Sequence, residues 1–201
     1  MFIQVIQGIC GDAGALRRQT EAWRDELAPQ AAGWLGGTYG VTDLHQFIAV
    51  VRFESREAAA RSSARPEQGA WWSVAEKYFE GEVTFHDYDE VWPFLDGGSD
   101  DAGFVQVIQG RVTDVEQART FMDRPMDELR EARPEVFGGT FALQHDGHFT
   151  QTIAFHSEEA ARKGERQEMP EEARKAWEED MALMKDLTYL DLRHPWFASK
   201  T

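Results

Sequence analysis

The sequence predicts an α+β protein made of two tandem βαββαβ units, and three observations predict it. First, Phe2-Ile3-Gln4-Val5-Ile6-Gln7-Gly8 returns as Phe104-Val105-Gln106-Val107-Ile108-Gln109-Gly110, an offset of n to n + 102. Second, the same offset carries Gly36-Gly37-Thr38 onto Gly138-Gly139-Thr140, and Phe53-Glu54-Ser55 onto Phe155-His156-Ser157. Third, within each copy the strand and helix signals fall in the order β-α-β-β-α-β. The predicted domains are residues 1–98 and 104–201, with an acidic, glycine-rich linker at 99–103. A residue kept in both copies is read as part of the fold; one present in a single copy is freer to serve function.

Residues 2–8 alternate and are rich in β-branched side chains, which predicts a strand with Phe2, Gln4 and Ile6 on one face. Asp12 to Leu27 predicts a helix with Leu16, Trp23 and Leu27 on one stripe, ended by Pro29 and Gly33. Leu35–Val41 and Gln46–Phe53 are the next strands, and the paired glycines Gly36-Gly37 suggest a bulge or a close backbone approach. In the second copy the matching turn contains Asp146-Gly147, a strong hairpin signal. Ser55 and Ser157 are natural N-caps, with Glu57 and Glu159 in the first turn favouring the helix dipole. The helix resumes after Pro66 and Pro170, at about 67–80 and 171–185, and the last strands start at Val83 and Leu187. This is the ferredoxin-like arrangement. Its two helices cover one face of a four-stranded sheet, so the other face needs a partner. The second copy supplies it, and the expected result is two sheets face to face in an eight-stranded intramolecular α+β barrel.

Composition narrows the function classes. The chain of 201 residues is 42% hydrophobic and 12% aromatic, enough for compact cores. A net charge of −15 repels phosphate backbones, which argues against nucleic-acid and anionic-membrane partners. No apolar run approaches the roughly 20 residues of a membrane helix. The opening Met1-Phe2-Ile3-Gln4 enters a strand without a basic or apolar leader, so no signal peptide is expected. The single cysteine, Cys10, cannot form an internal disulfide and fits a reducing cytoplasm. Its counterpart, Val112, marks it as a space-filling residue.

The strand Phe2–Gly8, the strand containing Gly36-Gly37-Thr38, and the passage Val51-Arg52-Phe53-Glu54-Ser55-Arg56-Glu57-Ala58-Ala59 resemble the dimeric α+β barrel superfamily. Within it they resemble the antibiotic-biosynthesis-monooxygenase-like domains, here in tandem duplication. The resemblance covers nearly all of both copies and implies the fold more than the activity, because this superfold hosts several chemistries. It implies a small-molecule-binding protein, related to cofactor-independent monooxygenases that oxidise a planar phenol or quinol with O2. The competing class is a non-catalytic ligand-binding or stress-associated barrel.

The resemblance also implies catalytic candidates. The family's Asn-x3-Trp-x5-Tyr helix motif is matched by Trp72 and Tyr78, with Gln68 in place of the asparagine. An indole N–H, a phenol and a carboxamide are donors suited to stabilising a substrate anion. Trp71, Trp72, Val74, Ala75, Tyr78 and Phe79 also form a broad apolar stripe, which by itself reads as core. At an offset of 104 the second copy carries Glu172, Ala176 and Ala182, so a single asymmetric site is expected. Trp71 joins it as a ligand-contact candidate.

Gln4 and Gln106 recur in both copies and read first as strand ties, with ligand contact by Gln4 as the second reading. Thr150, Thr152 and His156 form a polar row whose counterparts are Ile48, Val50 and Glu54, so they are candidates for a small polar pocket. Neither second helix contains the axial histidine of the family's haem-degrading members, which argues against haem. No histidine pair or cysteine cluster has metal-ligand spacing, and no glycine-rich phosphate loop is present. The expectation is no cofactor, no metal, and a small aromatic molecule as partner.

Overall fold

The computed structural model describes residues 1–124, 127–167 and 171–199. Pro170, where the second-copy helix was expected to resume, lies outside the described residues. So do the side chains of Glu172 and Ala176.

The chain forms two compact units, Met1–Asp89 with His194–Thr201, and Glu90–Arg193. The first unit begins with strand β1 (Phe2–Cys10) and helix α1 (Ala13–Glu26), which Asp12 caps by accepting from the Ala15 amide. Strands β2 (Trp34–Val41) and β3 (Gln46–Phe53) form an antiparallel hairpin. Helix α2 (Arg56–Ser63) starts at Ser55, whose hydroxyl accepts from the Ala58 amide. Helix α3 (Pro66–Ala75) has Pro66 in its first turn, where a missing N–H costs nothing, and runs into a 3-10 turn at Glu76–Tyr78. Strand β4 (Phe79–Tyr88) follows.

The second unit opens with β5 (Glu90–Leu95) and then repeats the pattern: β6 (Phe104–Val112), α4 (Val115–Met122), α5 (Asp127–Ala132), β7 (Val136–Leu143) and β8 (His148–Phe155). Helices α6 (Glu158–Glu165) and α7 (Glu171–Leu183) and strand β9 (Met184–Leu192) complete it. Ser157 caps α6 as Ser55 caps α2. The final strand, β10 (Trp196–Ser199), belongs to the first unit.

The sheet orders are β10-β2-β3-β1-β4 and β5-β7-β8-β6-β9, both antiparallel and topologically equivalent. Each sheet therefore has five strands, where the sequence led us to expect four. The extra strands are exchanged along the chain: the last segment of copy one pairs in the second sheet, and the last segment of copy two pairs in the first. Trp196 opposes Tyr39, and Trp92 opposes Phe141 in the same way. Pro93 disguised β5, because proline is tolerated in a strand only at an edge, which is where β5 lies. The acidic segment 96–103 consequently joins β5 to β6 inside the second unit, and the chain passes between units at Asp89–Glu90. The compact units thus differ from the repeats 1–98 and 104–201.

The double glycines behave alike in both sheets. The β2–β3 register shifts between Trp34 and Gly36, and the β7–β8 register between Val136 and Gly138, the first glycine of each pair, Gly36 and Gly138, having positive φ. A Cβ on Gly37 would collide with the Tyr39 ring, and one on Gly139 with the Thr152 carbonyl. In the first unit Phe2, Leu16, Trp23, Trp34, Phe47 and Phe53 form the core beneath the helices. The opposite face of the central strands is buried too, with Ile3, Val5 and Ile48 at 0% exposure. Each fully buried aliphatic of this kind contributes about 1.5–3 kcal/mol.

Candidate functional site

Alternation along β4 turns Val83 and Phe85 to the same side, and α3 with its 3-10 turn brings Trp72 and Glu76 over them. Together with Gly81 these residues line an open cleft of about 330 Å³. The Trp72 and Phe85 rings meet edge to face, 5.3 Å between centroids and 64° between planes. Phe85 is 48% exposed, an unusual state for a large apolar ring beside a second aromatic. Gly81 floors the cleft at φ 81°, and nothing lies within 4 Å of where its Cβ would be.

Behind the cleft runs a ladder of tryptophans. Trp72 packs on Trp71 at 6.1 Å, Trp71 on Trp23 at 6.4 Å, and Trp23 on Trp34 at 5.1 Å. Here the catalytic candidates part company. The Gln68 amide oxygen accepts from the Trp23 indole at 2.5 Å, tying α3 to α1. The Trp71 indole donates to the Gln19 carbonyl at 2.9 Å. Tyr78 packs against the core, and its carbonyl accepts from the Gly11 amide. Of the three, Trp72 alone lines the cleft.

The remaining candidates are dispersed. Gln4 donates to Asp87 at 3.0 Å and Gln106 to Asp191 at 3.0 Å, each linking a central strand to an edge strand. Thr150 accepts from Gln109 at 3.0 Å, and the Thr152 hydroxyl meets that of Thr140 at 2.8 Å. Thr140, Thr150 and Thr152 are buried, so this row saturates its own hydrogen bonds. His156 is exposed, with its ring against Phe137 at 3.9 Å. No group of three or more potential metal ligands occurs among the described residues.

Sequence reasoning missed Glu76 and Phe85. Glu76 follows Trp72 by four residues, the spacing that places two helical side chains on one face, and that signal was available. Phe85 was hidden because apolar strand residues are normally assigned to the core.

The offset between copies also changes here. The Gly11 amide bonds the Tyr78 carbonyl in the first unit, and the Thr113 amide bonds the Leu183 carbonyl in the second. The structural counterpart of Tyr78 is therefore Leu183, 183 − 78 = 105 positions on, and not Ala182. Counting back along the helices by the same 105 sets Trp177 against Trp72, where an offset of 104 pointed to Ala176. The cause is one additional residue in β4. Between the pairs Gln7↔Thr84 and Ile9↔Glu80 it holds Gly81, Glu82 and Val83, whereas β9 holds only Asp186 and Leu187 at the matching place.

No family model and no curated protein matches the sequence. Solved structures do. Two proteins, each described as a "putative monooxygenase", align with TM-scores of 0.75 (Lactobacillus acidophilus NCFM) and 0.72 (Fusobacterium nucleatum subsp. nucleatum). The first is 15% identical and covers 98% of this chain and 95% of its own. The second is 10% identical and covers 99% and 94%. An anthrone oxidase-like protein aligns at a TM-score of 0.56 with 14% identity over 99% of this chain and 94% of its own. At these identities the likeness is one of fold. Over nearly its whole length, the chain has the tandem α+β fold of these monooxygenase-like proteins.

Proposed function

We propose that the first unit binds a flat, electron-rich aromatic molecule in the cleft at Trp72 and oxidises it, as a planar phenol, quinol or anthrone, with O2 and no cofactor. The observation that carries this reading is the edge-to-face pair Trp72–Phe85, held open to solvent around a cleft of about 330 Å³. A planar ring stacked there excludes water from both aromatics. The substrate is its own reductant. In an anthrone, O2 converts the ring CH2 to a ketone, with one oxygen atom retained and the other released as water. The protein's part is to orient the ring and to stabilise the anion left by deprotonation. With Gln68 and Trp71 engaged elsewhere and Tyr78 packed on the core, the Trp72 indole N–H is the donor left at the cleft for that task. The fold shared with an anthrone oxidase-like protein supports the same reaction class.

A second reading, a non-catalytic binding or stress-associated protein, is favoured by the Gln68–Trp23 hydrogen bond, which gives that amide a purely structural role. Oxygen uptake with a panel of planar phenols and anthrones separates the two. Trp72→Ala is expected to weaken ligand binding by about 2 kcal/mol, the usual weight of a buried aromatic anchor. Tyr78→Phe, outside the cleft lining, is expected to leave turnover and affinity nearly unchanged and to show at most a stability effect. If no phenol binds or consumes oxygen, and Trp72→Ala loses only thermal stability, the catalytic reading fails.

A further inference from the structure

The tryptophan ladder behind the cleft has a chemistry of its own. We infer that Trp72, Trp71 and Trp23 form an electron relay that quenches radicals at the cleft and holds the resulting electron vacancy at Trp23. This deepens the proposed function and rests on it, since O2 chemistry at the Trp72 cleft is the source of the radical. The oxidant is the peroxyl radical formed when a substrate radical adds O2. Trp72 gives it one electron, and the peroxide anion takes a proton from water to leave a closed-shell hydroperoxide. Trp71 then reduces the Trp72 radical cation, and Trp23 reduces that of Trp71, with no bond to hydrogen broken. A thiolate in solution returns the electron through the partly exposed Trp71, and the thiyl radical pairs with a second as a disulfide.

The rungs are in contact. Trp72 lies 6.1 Å from Trp71 and Trp71 lies 6.4 Å from Trp23, centroid to centroid, so an electron crosses without an intervening saturated chain. Indole can lose an electron and keep its proton, which suits a dry core. Both inner rungs are supported as cations. The Trp71 N–H donates to the Gln19 carbonyl, and the Trp23 N–H donates to the Gln68 amide oxygen at 2.5 Å. A hydrogen bond strengthens when its donor becomes charged, so each acceptor makes its indole easier to oxidise. The relay stops at Trp23, because Trp34 touches it at 5.1 Å but has a buried nitrogen with no hydrogen-bond partner. The second unit keeps the outer rung alone. On the helix, the offset of 105 sets Trp177 against Trp72, but Ala176 against Trp71 and Ala173 against Gln68. The offset of 102 sets Pro125 against Trp23 and Val136 against Trp34. One fold thus closes its core with and without these indoles, and packing alone does not demand them.

The test is one-electron oxidation of the full chain by a photogenerated ruthenium(III) polypyridyl complex, a reagent too large to enter the core. Tryptophan radicals are followed by transient absorption, and oxygenated products are mapped by peptide mass spectrometry. The expected result is product concentrated at Trp23 and Trp71, although Trp23 is buried. Trp71→Phe should abolish product at Trp23 and raise it at Trp72. Gln68→Leu should move product from Trp23 back to Trp71 and Trp72, whereas Gln68→Glu, which keeps an acceptor for the indole, should hold it at Trp23. The Gln68 pair decides the matter where Trp71→Phe fails to fold. Product that follows exposure and spares Trp23, an unchanged distribution in folded Trp71→Phe, or equal product at Trp23 in the two Gln68 variants each overturns the inference. No phenol enters this experiment, which keeps the two proposals apart. Turnover of phenols with damage confined to exposed tryptophan removes the relay and leaves the oxidation. Migration to Trp23 with no phenol consumed does the reverse.

Discussion

Arg56 bonding Asp89 in the first unit and Arg193 bonding Glu158 in the second are the same contact with its charges exchanged. Position 56 maps onto 158, and position 89 onto 193, so each partner has reversed sign and the pair has survived. The cation over the first-strand phenylalanine survives as well, from a different residue. Arg56 lies 5.0 Å from the Phe2 ring centre, whereas Arg162 lies 5.4 Å from that of Phe104. Arg162 also binds Asp191, the acceptor of Gln106, as Arg56 binds Asp87, the acceptor of Gln4. The fold at this corner requires a closed polar network above the first strand and is indifferent to which residue carries which charge. At the cleft the difference is of another kind. A carboxylate and an inserted residue distinguish the first unit, while the left-handed position of the bulge is kept, as Gly81 in the first unit and Asp186 in the second. Compensated differences mark structure; uncompensated ones point toward a ligand.

The largest expected effect separates the two exchanged strands. Trp196 is buried and stacks on Tyr39 at 6.2 Å and 12°, while Trp92 is partly exposed and donates to Asp123 at 2.9 Å. Trp196→Ala should cost about 3–5 kcal/mol in chemical denaturation, and Trp92→Ala distinctly less. Trp196→Phe should cost far less than the alanine change, because the Trp196 indole nitrogen is buried without a hydrogen-bond partner and phenylalanine removes that donor. Equal losses for Trp196→Ala and Trp92→Ala would erase the distinction.

A second effect depends on Tyr39, whose counterpart is Phe141. Burial pushes the Tyr39 phenol well above its usual value of 10, with Arg52 opposing the shift more weakly. Its folded-state pKa is raised, so the associated stability is fully present below pH 10 and is lost as pH rises beyond it, when the unfolded chain alone releases the proton. The slope is about 1.4 kcal/mol per pH unit for one such group. Denaturation of Tyr39→Phe between pH 9 and 11 should show a flatter decline than the parent. Parallel curves would mean that Tyr39 does not titrate in this way.

The smallest effect tests the reversed pair. Hydrogen bonds from Arg56 hold the Asp89 carboxyl below its ordinary range, so its contribution is present near neutrality and fades as pH falls through that lowered value. Arg56→Glu alone should destabilise by about 1 kcal/mol at pH 7, a modest figure because both side chains are well exposed. Adding Asp89→Arg reproduces the second unit's arrangement and should restore part of the loss. A double variant no more stable than the single one would show that the two corners are not equivalent.

Much of this protein is legible without coordinates. The 102-residue repeat fixes the order of elements, the alternation of the central strands fixes their buried faces, and the caps at Asp12, Ser55 and Ser157 fix helix starts, because each signal is local. The glycine pairs announce their bulges for the same reason, since φ is a property of one residue. What tertiary structure decided is what depends on partners distant in sequence. Strand exchange was invisible because β5 and β10 read alike, and only the edge each one finds determines its unit. The offset of 105 came from a bulge whose extra residue shows only against β1. Gln68 became a strut once Trp23 lay 2.5 Å away, and Glu76 became notable once Phe85, nine positions along the chain, closed the other side of its cleft. Pattern assigns a residue to a face, whereas the loss of solvent and the choice of neighbour set its energy and its chemistry, and both are settled only when the chain has closed on itself.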